Sequence, residues 1–232
     1  MSNFKGRRFP VSIILVCVRW YCKYGISHSD LEEMMAERGV QVDHTTLYRW
    51  VQRYAPMLEK RIRRYQGYTC LSWRVDETYI KVAGEWAYLY RALDSDGAVI
   101  DFMLSSRRTA KAAARFLGKA LKNRGDYPPE TINTDQNEAY GTVIRRLKTE
   151  GRIDAELEHR QVKYLNNRLE GDHGALKRVI RPMRGFKSIP TAYAVIKGIE
   201  VMRMIRKGNC VMLDPGVAGE VRFVNRLFYL PA

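Results

Sequence analysis

The sequence has few of the residues that mark zinc proteins or disulfide-bonded proteins. It holds four cysteines, Cys17, Cys22, Cys70 and Cys210, and no two of them form a C-x-x-C pair. Cys17 and Cys22 would lie about 140° apart on a helix, so they would not share a face. This spacing does not fit the common zinc sites, and free thiols are typical of a reducing compartment. We therefore expect a cytoplasmic protein without structural zinc or disulfides.

Long hydrophobic runs are also missing. The longest apolar stretch, Val11 to Val18, is followed directly by Arg19. A membrane-spanning helix needs about 20 apolar residues, so this stretch is too short. No small-residue cleavage site follows it, which argues against a secretory signal. The segment is predicted to be a buried helix, and we expect no membrane association.

Acidic residues are outnumbered. The 232 residues include 40 Lys and Arg against 25 Asp and Glu, for a net charge of +15, and 46% are hydrophobic. The hydrophobic content supports a packed core and argues against global disorder. The charge favours a polyanionic partner, because counterion release from DNA or RNA would drive binding. A basic protein that is merely soluble, such as a ribosome-associated one, is the alternative.

Residues 1–67 carry the pattern of three helices. Pro10 can begin the first, which is predicted over Val11–Lys23. Ser27 or Ser29 can cap the second. The third is expected from His44 to about Tyr54. Two short helices joined by a tight turn predict a helix-turn-helix DNA-binding domain, although an ordinary three-helix bundle has the same pattern.

The third helix has one apolar and one polar face. Leu47, Trp50 and Val51 share the apolar side at helical spacing. The residues expected to contact DNA lie mostly outside it: Thr45, Thr46, Tyr48, Arg49, Gln52 and Arg53. Pro56 is predicted to end the domain, and Lys60–Arg64 is predicted to be a basic linker along the phosphates.

From residue 72 the hydrophobic period changes to that of strands. Strands are predicted at Trp73–Val82, Ala87–Leu93, Val99–Leu104, Thr131–Thr134 and Leu157–Val162, and helices at Thr109–Arg124, Gln136–Thr149 and Leu165–Ile180. The resulting β-β-β-α-β-α-β-α order is that of a ribonuclease-H-like fold, a mixed five-stranded sheet flanked by helices. We therefore predict a mixed α+β protein: a small all-α domain at 1–67, a catalytic domain at 68–207 and a short tail at 208–232.

Three acidic residues fall in three different elements of this order. Asp76 lies within the first strand, Asp135 directly after the fourth, and Glu170 in the last helix, with 58 and then 34 residues between them. Each alone is more often a turn residue or a cap than a metal ligand. Together they suit hard divalent cations, which prefer carboxylate oxygens and can activate phosphodiester chemistry. The pattern predicts a metal-dependent site acting on nucleic-acid phosphates.

Other acids compete with these three. Glu77 would face the opposite side of the strand from Asp76, and Asp172 would lie about 200° around the helix from Glu170. Three more are expected to be solvated in or beside a turn: Asp94, Asp96 and Asp101. His173 shares the side of Glu170, where it could orient a water or a phosphate, although a surface histidine is an equal alternative.

Basic residues follow the last acid. Lys177 lies seven residues after Glu170 and returns to nearly the same helical face, so it could hold a substrate phosphate or be an ordinary exposed lysine. Residues 177–207 contain nine Lys or Arg against one acid, Glu200. This imbalance favours a surface that faces phosphates. The additional DNA-contact candidates are Arg178, Arg181, Arg184 and Lys187.

Several stretches resemble the DDE transposases of bacterial insertion sequences, specifically the family numbered six. They are Asp43–Val51, Trp73–Tyr79, Asn133–Asp135, Val162–Asn167 and Arg184–Tyr193. The resemblance covers roughly residues 4–208 and includes the family's 34-residue gap. It implies that the three acids are catalytic metal ligands and that Lys177 occupies the accompanying basic position. The tail after Gly208 lies outside the resemblance.

The resemblance also implies a reaction. The helix-turn-helix would bind terminal inverted repeats, and a metal-activated water would cleave at the element ends. The freed 3′-hydroxyl would then join target DNA in a replicative, cointegrate-forming pathway. Two Mg²⁺ ions, with Mn²⁺ as a substitute, and a homodimer or higher oligomer on bacterial DNA are expected. A catalytically lapsed DNA-binding regulator and a ribonuclease-H-like nuclease are the alternatives.

Overall fold

The computed structural model describes residue 4 and residues 8–67, 70–124, 127–162 and 167–230, with the backbone only for 167 and 168. It divides into two compact units. Unit 1 joins Met1–Gly67 to Arg178–Ala232, and unit 2 comprises Tyr68–Lys177. Residues 178–232, which we had divided between the catalytic domain and a tail, thus lie in the same unit as the N-terminal helices. None of the described helices is long and apolar enough to cross a membrane.

The helices of unit 1 begin at recognisable caps. They are α1 (Val11–Tyr24), α2 (His28–Ala36), α3 (His44–Ile62), α7 (Ile189–Arg206) and α8 (Gly216–Leu227). At α2, Ser27 and Asp30 form a reciprocal capping box, which satisfies two amide groups that lack helical partners. Asp43 caps α3 by accepting a hydrogen bond from the Thr46 N–H.

Helix α3 continues past Tyr54, its predicted end, and past Pro56, the predicted end of the domain. It runs to Ile62 with the proline inside it, and Lys60 and Arg61 form its last turn. The prediction of a basic linker at Lys60–Arg64 is therefore wrong, because the apolar face continues through buried Leu58 and Ile62. Burial of that face outweighs the loss of one helical hydrogen bond at the proline.

Residues 208–230 are packed rather than forming the predicted short tail. Helix α8 buries Phe223, Val224 and Leu227. Lys23 of α1 forms an ion pair with Glu220 of α8. The C-terminal helix is thus part of the core of unit 1.

Unit 2 contains a mixed five-stranded sheet, in the order β3-β2-β1-β4-β5. Its elements are β1 (Ser72–Val82), β2 (Glu85–Asp94), β3 (Val99–Ser105), α4 (Ala110–Arg124), β4 (Thr131–Thr134), α5 (Glu138–Thr149), β5 (Glu158–Gln161) and α6 (Asn167–Ile180). The first three strands are antiparallel, whereas β4 and β5 run parallel to β1. This is the predicted ribonuclease-H-like fold.

The two faces of strand β1 differ. Trp73 and Val75 belong to a buried cluster with residues of α4 and α5, including Phe116 and Tyr140. The alternate position Asp76 faces the other side of the pleated strand, where Arg91 of β2 lies directly opposite it. The core on one face therefore leaves the other free to carry polar groups.

Two acids that we expected to be solvated are buried. Asp94 is 1% exposed, and its carboxylate accepts hydrogen bonds from the backbone N–H groups of Asp96 and Ala98. Asp101 is 7% exposed and forms an ion pair with Lys119. Both predictions are wrong, because local hydrogen bonds and a lysine compensate for the burial of these charges. Asp96 is exposed, as predicted.

Candidate active site

The topology of the sheet brings two of the three predicted acids to one place. Strands β1 and β4 are parallel neighbours, and Arg74 pairs with Asn133. Asp76 and Asp135 each follow these partners by two residues, so both lie on the same face at the same end. Glu170 lies in the first turn of α6 and is exposed.

Asp76 is close enough to Asp135 and Glu170 for their charges to act on it. Burial is the main cause that raises the pKa of Asp76 to about 7; the hydrogen bond from the Glu77 N–H opposes this shift, and the negative charges of Glu77, Asp135 and Glu170 contribute to it. The burial and the clustered negative charge both oppose ionisation of Asp76. A bound cation would offset them.

Each strand-derived carboxylate has one oxygen oriented by the backbone. Asp76 Oδ1 accepts the Glu77 N–H at 2.8 Å, and Asp135 Oδ1 accepts the Asn137 N–H at 3.1 Å. Among the described residues, neither carboxylate forms an ion pair with a lysine or arginine. Clustered carboxylate oxygens that form no such ion pair fit a hard divalent cation. The donor set is therefore suited to the predicted metal ions.

A tighter group of possible ligands lies elsewhere in unit 2. The ligand atoms of Cys70, Asp94 and Asp96 all lie within 4.8 Å of one another, which holds for no other such group among the described residues. The Cys70 thiol donates to Asp96 at 3.0 Å, and Asp94 accepts backbone N–H groups of the turn. These contacts explain the group as a turn cap, so it needs no metal.

Glu77 faces away from Asp76, as predicted. Its carboxylate accepts hydrogen bonds from Arg108 Nε and from the Tyr140 hydroxyl, both at 2.5 Å. Burial and the Glu77 charge together hold the pKa of Tyr140 well above its usual range. Glu77 is thus occupied on the face that packs against α5.

Helix α6 is attached to the sheet by an ion pair that the sequence did not reveal. Arg91 of β2 and Asp172 of α6 lie 2.6 Å apart, and their side chains are 0% and 8% exposed. Asp172 therefore points inward while Glu170 is exposed, in agreement with their predicted separation. The missed signal was an arginine inside the apolar run Tyr88–Leu93, because a charged residue is rarely buried without a partner.

His173 is 7% exposed, so it is not a surface histidine.

Lys177, one helical turn after His173, lies with its ammonium group 4.3 Å from the centroid of the Tyr79 ring. A cation over an aromatic face is attracted by the ring quadrupole. Tyr79 therefore helps to position Lys177, the basic residue that the sequence places near the acids. The sequence did not predict this contact.

The predicted DNA-contact residues of α3 differ in whether their side chains already form hydrogen bonds within the protein. The hydroxyls of Thr45 and Thr46 both donate to Asp43. The Gln52 amide donates to the Thr191 carbonyl at 3.3 Å, which turns it toward α7. Arg49 is exposed. Among these four, Arg49 is the side chain most available to a ligand.

Basic residues from the second half of the chain lie beside α2 and α3. The Lys187 ammonium group lies 5.9 Å from the centroid of the Tyr48 ring. Hydrogen bonds with Ser27 are the main cause that lowers the pKa of Asp30, and the nearby charge of Arg184 contributes to the same shift. Arg178, Arg181, Arg184 and Lys187 are all exposed. Tertiary packing within unit 1 thus gathers two distant groups of DNA-contact candidates.

The chain is similar in sequence to known transposases. A family profile described as a DDE domain matches residues 70–209. The transposase for the insertion sequence-like element IS431mec of Staphylococcus aureus is 37% identical over 209 residues, 90% of this chain and 91% of that protein. The transposase for element IS257 in transposon Tn4003, also from Staphylococcus aureus, is 36% identical over the same shares of both chains.

Two viral proteins are among the similar solved structures. The HTLV-2 integrase catalytic core domain in complex with magnesium has a TM-score of 0.42 and 20% identity, covering 58% of this chain and 86% of that chain. An intasome of simian T-cell lymphotropic virus has a TM-score of 0.43 and 19% identity, covering 56% and 50%. The family assignment rests on the sequence relatives.

Proposed function

The chain belongs to the DDE transposases of bacterial insertion sequences, in the insertion-sequence family numbered six. We propose that it binds the terminal inverted repeats of an element, cleaves at the element ends and joins the freed 3′-hydroxyls to target DNA. The proposed pathway is replicative and forms a cointegrate. The observation that supports the chemistry best is the parallel pairing of β1 with β4, which places Asp76 and Asp135 on the same face at one end of the sheet, where the charge of Glu170 also acts on Asp76.

These three carboxylates would hold the divalent ions, which we propose to be two Mg²⁺ with Mn²⁺ as a substitute. When bound, such ions lower the pKa of a water nucleophile and stabilise the leaving oxygen of a phosphodiester. The protein orients one oxygen of Asp76 and one of Asp135 through backbone N–H groups. Rigid carboxylates reduce the reorganisation needed when a phosphate arrives.

Lys177 would contact a phosphate of the bound DNA strand. Lys177 is half-buried, and its ammonium group lies over the Tyr79 ring. A lysine acts on a phosphate as a point charge, so its position matters more than the direction of its N–H bonds. The Tyr79 ring supplies that position without neutralising the charge.

The exposed bases of unit 1 would bind the inverted repeat. Arg49 of α3 is the proposed base-reading residue, because arginine forms two hydrogen bonds with the guanine edge in the major groove. Arg178, Arg181, Arg184 and Lys187 would contact phosphates, with a contribution that falls as salt rises. Two element ends must be joined in one reaction, so we propose that a homodimer or higher oligomer assembles on DNA.

A strand-transfer assay tests the proposal. The protein is incubated with a labelled duplex that carries the element end, a plasmid target and Mg²⁺, and joined product is measured. We expect wild-type protein to form joined product and Glu170→Gln to form none. Cleavage of the duplex without any joining would instead identify a nuclease. Binding without cleavage or joining would identify a DNA-binding regulator.

A further inference from the structure

Two large aromatic side chains are exposed together on the β1–β2 hairpin. Tyr79 is 54% exposed and Trp86 is 52% exposed. Their ring centroids lie 5.0 Å apart with an interplanar angle of 83°. Tyr79 pairs with Tyr88 across the strands, so Trp86 is its diagonal neighbour. The hairpin therefore presents a preformed aromatic surface to solvent rather than two isolated side chains.

A lysine accompanies each ring. The ammonium group of Lys177 lies 4.3 Å from the Tyr79 centroid, and that of Lys81 lies 5.1 Å from the Trp86 centroid. Lys81 belongs to the hairpin itself, and Lys177 lies on the face of α6 that carries Glu170. This combination of aromatic rings and cations matches surfaces that bind single-stranded nucleic acid, in which bases stack on rings and lysines follow the backbone.

The geometry points to a stacking site: we propose that Tyr79 and Trp86 bind an unpaired base of the DNA strand beside the active site, while Lys81 and Lys177 contact its flanking phosphates. The proposal rests on the function proposed above. Tyr79 is three residues from Asp76 along β1, about 10 Å at the rise of a strand, and its side chain lies on the face of Glu77 rather than that of Asp76. The Tyr79 ring nevertheless contacts Lys177, which shares a face of α6 with Glu170, so a DNA strand that passes around the edge of β1 would reach both the acids and the rings.

An unpaired base fits this surface better than intact duplex. Within a duplex the faces of each internal base are covered by its neighbours, and a blunt end leaves only one face of its terminal pair open, so an unpaired base can cover an aromatic ring more readily. A second copy of the chain fits less well, because each copy carries a net charge of +15 and two lysines frame the rings. The charge therefore favours a nucleic acid over another copy.

Binding measurements on three DNA ends test the stacking site. The probes are a labelled blunt duplex, the same duplex with a short unpaired thymine tail, and one whose tail is abasic. We expect Trp86→Ala to weaken binding of the thymine-tailed duplex by about tenfold, the effect of losing one stacked base. Binding of the blunt and abasic-tailed duplexes should stay within about twofold, and Trp86→Phe should restore the preference for the thymine tail. The matched control is Tyr127→Ala, which removes an exposed aromatic ring outside the hairpin.

The opposite results would overturn the site. Equal weakening on all three probes would mean that Trp86 supports folding or general charge binding, and an unchanged preference for the thymine tail would mean that it contacts no base. A change in oligomeric state by sedimentation, without a change in that preference, would assign the surface to a second copy. Strand transfer by the wild type is measured in parallel. Absence of joining with an intact tail preference counts against the proposed function, whereas joining without a Trp86-dependent preference counts against the stacking site.

Discussion

The guanidinium of Arg91 lies 2.6 Å from the carboxylate of Asp172, and both side chains are buried. Arg91 is opposite Asp76 in the β1–β2 pairing, and Asp172 follows Glu170 by two residues on α6. The pair therefore connects the strand beside one proposed metal ligand to the helix that carries another. Within unit 2 it is a direct means of holding Glu170 over the sheet.

Breaking this pair should destabilise the protein. Asp172→Asn leaves the Arg91 charge buried without its counterion, and removing one partner of a buried ion pair costs about 3–5 kcal/mol. We expect a loss of that size in the free energy of unfolding, measured by urea denaturation. Replacing both partners, with Arg91→Met and Asp172→Leu, should recover most of the loss. A change below about 1 kcal/mol in Asp172→Asn would show that the pair does not hold α6 in place.

The acidic residues should be needed for strand transfer but not for DNA binding. Asp76→Asn, Asp135→Asn and Glu170→Gln should each abolish joined product and leave binding of the element end largely unchanged. In the absence of divalent ions, Asp76→Asn should be at least as stable as the wild type, because it removes a carboxyl whose ionisation burial disfavours. Asp96→Asn, at an exposed acid outside the site, is the control. Normal transfer by any of the three variants would remove that residue from the site.

Arg49 should contribute to recognition of the inverted repeat. Arg49→Ala is expected to weaken binding of the element end by about 1–3 kcal/mol, with less effect on unrelated DNA, as for a lost contact to a base edge. Gel-shift titrations at fixed salt measure both affinities. The matched control is Arg222→Ala, since Arg222 lies 3.2 Å from Asp214 on the same unit. Equal affinity of Arg49→Ala and wild type for the element end would show that Arg49 does not contribute to recognition of the inverted repeat.

Lys177 should affect the rate more than the stability. Lys177→Ala removes a half-buried charge, so we expect slower strand transfer, with denaturation curves close to those of wild type. Tyr79→Phe should keep most activity because the ring that holds the ammonium group remains. Lys122→Ala removes an exposed lysine from α4 and serves as the control. An unaltered rate in Lys177→Ala would identify Lys177 as an ordinary surface lysine.

His28 should make the stability of the protein depend on pH. It stacks on Tyr21 at 4.1 Å between ring centroids, and burial is the main cause that lowers its pKa to about 4. Between pH 6.5 and about 4 the unfolded chain binds a proton that the folded chain does not, so the free energy of unfolding should fall as pH falls. The loss should reach about 2 kcal/mol and should disappear in His28→Phe. Thermal unfolding at pH 7 and pH 4.5 measures it, and the same slope in the variant would contradict it.

Local patterns were sufficient for the elements of unit 2. Alternation along Trp73–Val82 predicted β1 to within one residue, and Thr131–Thr134 matched β4 at both ends. Local patterns were insufficient where burial in the tertiary structure determines the extent of a helix or the exposure of a side chain. Pro56 lies inside a helix because the apolar face of α3 continues beyond it. Asp94 is buried because backbone N–H groups of its own turn satisfy its carboxylate, which alternation does not report. His173 is buried as well.

The sequence by itself determined the family, the order of strands and helices, the excess of positive charge and the identity of the three acids. These depend on residue types and spacing along the chain. Only the tertiary structure decided that Asp76 and Asp135 share one end of the sheet, that Arg91 pairs with Asp172 and that Lys177 lies over Tyr79. Such contacts join residues from different elements, and their energies depend on distance and burial in space. The chain encodes those quantities only through the complete fold.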